Sequence, residues 1–240
     1  MTFLLACGIT IAILQVSVLC TTIYLHRALT HRGLELHPAI RALMHLHLAL
    51  FTGIVPREWA AVHRKHHHFS DQPGDPHSPY LDGLWRVFWL NFWLYRKEAN
   101  NPATLSKYTP DYRPGWADRI PLLPYWGIFG GLAIFAALFG WWGGVAAWLF
   151  HIVAYILLNA AINSFCHMVG YRNFDNTATN IRWVALITGG EGLHNNHHQY
   201  PSSPKLAVRS TEIDPAWLVI RFLEWLRLAR VKESTLAKAA

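Results

Sequence analysis

The stretch TFLLACGITIAILQVSVLCTTIYL at 2–25, running without a charge into HRALTH at 26–31, decides how the chain is read. A helix over 2–25 rises about 1.5 Å per residue and reaches about 36 Å, enough to cross a hydrocarbon core of about 30 Å. A secretory signal would need a basic segment before the apolar run and a small-residue cleavage site after it. Neither is present. The expectation is a transmembrane helix that delivers histidines to a membrane surface.

Composition agrees. Hydrophobic residues make up 52% of the chain, charged residues only 15%, and there are 12 Trp, whereas a soluble domain carries about 25% charge. The net charge of +7 is spread between apolar stretches, which points to a membrane surface and to no nucleic acid. Cys7, Cys20 and Cys166 lie in apolar segments without CxxC spacing. They read as small buried hydrophobes, not as a disulfide framework or a thiolate metal site.

Two further crossings are expected at 120–142 and 145–167, forming a hairpin with the Gly143-Gly144 pair as its turn. The apolar run 39–56 is interrupted by Arg41, His45 and His47. Were it to cross, His26/His31 and His63/His66/His67 would end on opposite membrane faces, which a shared metal site forbids. It is therefore expected to be interfacial or re-entrant. Basic residues concentrate in the loop 26–120 and are missing from the hairpin turn, so the loop and the C-terminal segment belong in the cytoplasm. The segment 215–231 reads as an amphipathic basic helix on the membrane surface. The expected architecture is a single unit over 1–240. It is all-α, a membrane-embedded bundle of about three transmembrane helices plus interfacial helices, with a cytoplasmic histidine-rich cap for two metals. The expected location is the bacterial inner membrane.

The chain has 15 His, concentrated in HRALTH at 26–31, HRKHHH at 63–68, NSFCH at 163–167 and EGLHNNHH at 191–198. In the second and fourth segments the spacing i, i+3, i+4 puts His63, His66 and His67, and His194, His197 and His198, on one face of a helical turn, where each triplet is expected to converge on one point. His26 and His31 would face the same way if the last turn of the first helix were slightly unwound. His167 arrives at the same depth from the third crossing. His37, His45, His47 and His151 read as polar anchors near the membrane. Eight or nine imidazoles exceed the four ligands of one zinc and imply two metals, of which two irons fit best. Haem would need one His on each of two facing helices, not clustered triplets.

The residues His63-Arg64-Lys65-His66-His67 with Ser70-Asp71, then Asp75-Pro76-His77, then Gly190-Glu191-Gly192-Leu193-His194-Asn195-Asn196-His197-His198 with Pro201 resemble the membrane fatty-acyl desaturase family, closest to its acyl-CoA delta-9 (stearoyl-CoA type) branch. The resemblance runs from about 15 to 205, with the motifs in the family's order. It implies that His26, His31, His63, His66, His67, His167, His194, His197 and His198 ligate two irons, with Asn163 reaching a metal through water. It also implies a kinked tunnel for the acyl chain and desaturation with O2 and two electrons. The chain departs from the family in having one transmembrane helix before the first histidine segment, where two are usual. It also carries LWRVFWLN at 84–91, where the family commonly has HVGW.

Removing hydrogen from an unactivated methylene needs an oxidant stronger than any side chain, so a metal must activate O2. Glu191 and Asp71 are expected to hold imidazole N–H groups, and Trp59 and Trp183 to line the tunnel or anchor at the interface. Arg57, Arg64 and Lys65 are candidates to meet a phosphate-bearing acyl carrier or lipid headgroups. The expected substrate is an acyl group on CoA, a carrier protein or a membrane lipid. With no haem-binding domain, flavin fingerprint or cysteine cluster in the sequence, electrons are expected from a separate ferredoxin, rubredoxin or cytochrome with its reductase. The competing functions are a di-iron hydroxylase of acyl chains or alkanes, and a non-redox membrane metal protein such as a zinc hydrolase or metal carrier.

Overall fold

A computed structural model describes residues 2–120 and 122–232; parts of the expected 1–240 unit at 1, 121 and 233–240 lie outside them. The first helix starts where the Thr2 hydroxyl accepts from Leu5 N, satisfying one of the free amides of a helix start. It runs as α1 (Phe3–Cys20) and continues without a break as a π-helix (Thr21–Thr30), giving a continuous apolar span of 28 residues. The expected end at Leu25 is thus overrun by one wide turn. The other long apolar helix is α8 (Trp141–Met168), also 28 residues.

Between them, α2 (Pro38–Phe51) and α3 (Pro56–Phe69) meet at an angle of 91°. The break falls where Gly53 adopts a left-handed φ of 67° and Pro56 begins the next helix, because proline cannot donate within a helix but suits its first turn. A break this sharp fits either a broken span or the re-entrant alternative expected of 39–56. It returns α3 to the level reached by the end of the first helix.

The hairpin differs from expectation in its turn. α7 (Leu123–Phe139) ends at Gly140, whose φ of 74° favours glycine, and α8 starts at once. Gly143 and Gly144 lie inside α8, and a Cβ on Gly144 would collide with the Ala136 backbone. The glycine pair therefore allows close helix packing and is not the turn. Residues such as Phe3, Leu4, Trp126, Phe129, Trp142, Phe150 and Val153 face outward on the apolar helices, as lipid contact requires.

After β1 (Leu34–Leu36) and the short α4 (Pro79–Asp82) comes α5 (Leu84–Ala99), an amphipathic helix. Trp85, Trp89 and Trp93 point outward at i, i+4 and i+8, while Val87 and Asn91 are buried. The chain then passes through α6 (Pro102–Tyr108), the hairpin, α9 (Arg182–Ile187) and α10 (His194–Gln199). The C-terminal helix is shorter than 215–231: α11 (Pro215–Trp225) ends before Arg227, which takes a φ of 60°, and Ala229–Val231 forms β2 antiparallel to β1. This two-stranded ribbon, with the isolated bridges Tyr171–Asn180 and Asn180–Leu193, departs from all-α. It clamps the C-terminal segment onto the end of the first helix, where Ile220 and Leu223 pack on Ile23 and Leu34.

Candidate metal centre

Helix geometry explains how the histidines are dealt out. In an α-helix, positions i and i+4 lie about 40° apart around the axis, while i+3 lies about 100° from i+4. The i, i+4 pair can therefore share one ion, and the i+3 side chain faces a neighbouring one. The structure has this arrangement twice. His63 and His67 of α3 join His26, His31 and His197, while His194 and His198 of α10 join His66 and His167. In each of the two groups the ligand atoms lie within 4.8 Å of one another. The expectation that each triplet converges on one point is thus corrected: each helix gives two imidazoles to one group and one to the other, which ties the two centres together. The π-helix resolves the odd spacing of HRALTH. Its hydrogen bonds run i to i+5, and His31 N donates to His26 O at 3.0 Å, so two histidines five apart stack on the same side.

Within the first group, Nε2 atoms approach at 2.9 Å (His26 to His197), 3.1 Å (His31 to His63), 3.1 Å (His63 to His67) and 2.8 Å (His67 to His197). In the second, His194 Nε2 lies 3.1 Å from His167 Nε2 and 3.0 Å from His198 Nε2. His66 Nε2 is buried with no hydrogen-bond partner.

Four of the opposite ring edges face acceptors. His66 Nδ1 lies 3.0 Å from both Asp75 oxygens, His167 Nδ1 lies 2.7 Å from Asp71 Oδ2, and His198 Nδ1 lies 3.3 Å from Ser70 Oγ. His26 Nδ1 is 2.8 Å from Glu191 Oε2, an ion-pair contact outside hydrogen-bond alignment. An ionised carboxylate only accepts, so a ring facing one carries its proton on Nδ1 and leaves Nε2 with a bare lone pair. Bare lone pairs crowded together repel unless a cation lies between them. This donor set, all imidazole with every cysteine free, fits two metal ions of the nitrogen-preferring type.

Electrostatics agree. Burial, reinforced by neighbouring imidazoles, holds His194, His197 and His198 well below the usual histidine range, so they stay neutral and ready to ligate. Burial alone would raise Asp75 and Asp71, but the hydrogen bonds from His66 and His167 outweigh it and lower both. For Glu191, His26 and Arg27 overcome burial in the same way.

Asp71 and Glu191 therefore stand where the sequence reading put them. That reading assigned no role to Asp75, although its position inside Asp75-Pro76-His77 was a signal. Arg27 was also missed as a scaffold residue. Only 2% exposed, it donates to both Asp214 oxygens at 2.9 and 3.0 Å and to Pro204 O and Gly189 O, pinning the 189–214 loop and Glu191 onto the first helix. The Asn pair inside HNNHH is structural too: Asn195 binds Phe174 and Ala178, and Asn196 binds Leu206 and Glu212.

Other residues divide clearly. Asn163 lines a cavity of about 60 Å3 together with His26, His63, His77 and His194. That cavity shares Trp59, His77, Tyr95, Asn159 and Asn163 with an apolar one of about 360 Å3 running between α2, α5, α7 and α8. Trp59 lines both and stacks on His63 at 4.8 Å, whereas Trp183 is exposed and lines neither. Arg64 is committed to Leu29 O, Thr30 O, Tyr108 O and Asp111, and Lys65 to Glu98. Both brace the cap. Arg57 donates to Thr109 Oγ1. His37 caps α2, His45 lies 3.9 Å from Asp118, and His47 and His151 meet Ser17; none belongs to the two groups.

The fatty acid desaturase family model matches residues 2–221. The chain belongs to the fatty acid desaturase family. Similar proteins include the delta-9 desaturase-like 2 protein of Arabidopsis thaliana, 31% identical over 92% of this chain and 74% of its own length. The sn-2 palmitoyl-lipid 9-desaturase of Nostoc sp. (strain 36) is 34% identical over 85% of this chain and 73% of its own length. The acyl-CoA 5-desaturase AL21 of Anemone leveillei is 34% identical over 87% of this chain and 65% of its own length. Family membership makes the protein an oxidoreductase acting on fatty-acyl chains.

Proposed function

We propose that the desaturase forms a cis double bond in an acyl chain carried by CoA, a carrier protein or a lipid, using two irons, O2 and two electrons. The balance is one O2, two electrons and two protons taken up with the two substrate hydrogens, giving two waters. His26, His31, His63, His67 and His197 would hold one iron, and His66, His167, His194 and His198 the other, with Asn163 completing a site through water. When bound, the ions supply the O2-derived oxidant for C–H removal. The chain's own residues do the rest. Asp75, Asp71 and Glu191 fix the imidazole orientation, and Trp59 packs the first group against the cavity. The apolar wall excludes water and holds methylenes at the metal face. One observation carries this reading: the apolar cavity shares the wall residues Trp59, His77, Tyr95, Asn159 and Asn163 with the small cavity lined by His26, His63 and His194.

The electron donor would be a separate ferredoxin, rubredoxin or cytochrome with its reductase. The whole chain, 1–240, would act as one unit in a bacterial inner membrane with its metal cap in the cytoplasm. The test is iron content of detergent-purified protein together with mass analysis of cellular acyl chains after expression. Two irons per chain and products lacking two hydrogens support desaturation. Products gaining one oxygen identify a hydroxylase, and a single zinc with activity independent of O2 identifies a non-redox metal protein.

A further inference from the structure

The inner face of α5 carries two polar groups that the apolar cavity leaves without a protein partner. Asn91, 6% exposed, has a buried Nδ2 with no acceptor, and the Tyr95 hydroxyl is buried and unpaired as well. Both line the 360 Å3 cavity, and Tyr95 also lines the small cavity under His26, His63 and His194. Spaced i, i+4, they sit one turn, about 6 Å, apart along the helix. They lie opposite the outward Trp85, Trp89 and Trp93 row, so neither reaches lipid headgroups or water on the far side. Trp148 Nε1 is a third unpaired donor of the same wall. It lies on α8 and not on the α5 face that carries the pair.

Buried donors without acceptors are rare because they lose their water without compensation. Here they are placed in the path of a ligand whose chain is otherwise apolar. The matching group must accept hydrogen bonds and need carry no charge. The cavity's one lining cation, Arg96, is already held by Glu58 at 2.8 Å, so a free carboxylate would find no counter-ion. A carbonyl oxygen meets the requirement.

Resting on the desaturase reading, we propose that Asn91 and Tyr95 bind the carbonyl of the acyl ester or thioester. They thereby act as positioning residues that fix which methylenes face the metal groups. A chain anchored at its carbonyl, a fixed distance from the metals, presents one pair of carbons. A chain without the anchor slides.

The test reads double-bond position. The wild-type chain, Asn91→Leu and Tyr95→Phe are expressed in a bacterial host. Membrane acyl chains are then analysed by mass spectrometry for the position of unsaturation, and iron is measured on the purified proteins. The expected result is one position for the wild type and a spread over adjacent positions for each variant. The original isomer should fall about threefold to tenfold, as loss of one hydrogen bond predicts, with iron unchanged. An unchanged position and yield in both variants overturns the proposal and assigns the donors to cavity water. Loss of iron in the variants overturns it in favour of a role in building the cap. Should Asn91→Leu fail to accumulate, Tyr95→Phe, which removes one hydroxyl, decides alone. A wild type that makes no double bond overturns the desaturase reading itself, a result distinct from wild-type activity with variants of unaltered product.

Discussion

The charged groups around the histidines and the polar groups lining the cavity beneath them are built on different plans. In the cap, the carboxylates have their imidazole or guanidinium partners and Arg27 is tied down by several acceptors. In the cavity, Asn91, Tyr95 and Trp148 present donors with none. The difference separates what must be rigid before substrate arrives from what substrate completes. A metal site needs ligands aimed in advance by the groups behind them, whose loss typically costs about 10–100-fold in metal affinity or activity. An acyl cavity has to admit and release its chain.

The sharpest way to break this contrast is to remove one imbricated ligand. His197→Ala and His194→Ala each take a ligand from one group on a helix that serves both, so turnover should fall at least about a hundredfold and metal content should drop below two per chain. Full metal content in either variant, measured by elemental analysis, would separate the two groups and undo the idea of a shared scaffold. Next in size is Arg27→Met, which strands Asp214 and Glu191 in the interior. Breaking a buried pair by removing one partner costs about 3–5 kcal/mol, so the unfolding midpoint in detergent should fall steeply. A midpoint within a degree or two of the wild type would mean that the cap is not pre-organised by this pair.

Acid should act on the cap through its buried rings. His194, His197 and His198 are held below the usual histidine value in the fold, while in the unfolded chain they protonate near about 6.5. Below that pH the unfolded state takes up more protons, so the stability of metal-stripped protein is flat above it. It then falls by about 1 kcal/mol per ring per pH unit as the medium is acidified. Thermal midpoints unchanged between pH 7.5 and 5.5 would show that the rings reach water. The smallest effect is expected from Asp75→Asn, which keeps an acceptor beside His66 but removes its charge. Metal affinity of that group should weaken about tenfold, read by competition with a chelator.

Much of the site was legible in the sequence because its chemistry is local. Three imidazoles within five residues, a carboxylate next to a cluster and an uncharged run of membrane length are patterns along the chain. The split of each triplet between two groups was also in principle readable from helix geometry, yet spacing alone does not say what lies opposite. The rest depends on contacts between distant segments. Nothing near Arg27 announces Asp214, 187 residues away, and nothing in LWRVFWLN marks Asn91 as the buried member of an aromatic helix. The hairpin turn was misplaced because glycine serves two purposes: at Gly140 it supplies a left-handed backbone, and at Gly144 it supplies the lack of a side chain.

The wide turn at Thr21–Thr30 makes the first histidine segment sensitive to phase. A π-helix differs from an α-helix by one extra residue per turn, so deleting one residue from 28–30 would let the segment relax to α-helical pitch. His31 would then stand at i+4, about 40° around the axis from His26 and still on the same side. At the present length and α-helical pitch the two would instead lie about 140° apart, so the wide turn and the five-residue spacing go together. One added residue, by contrast, would part the pair.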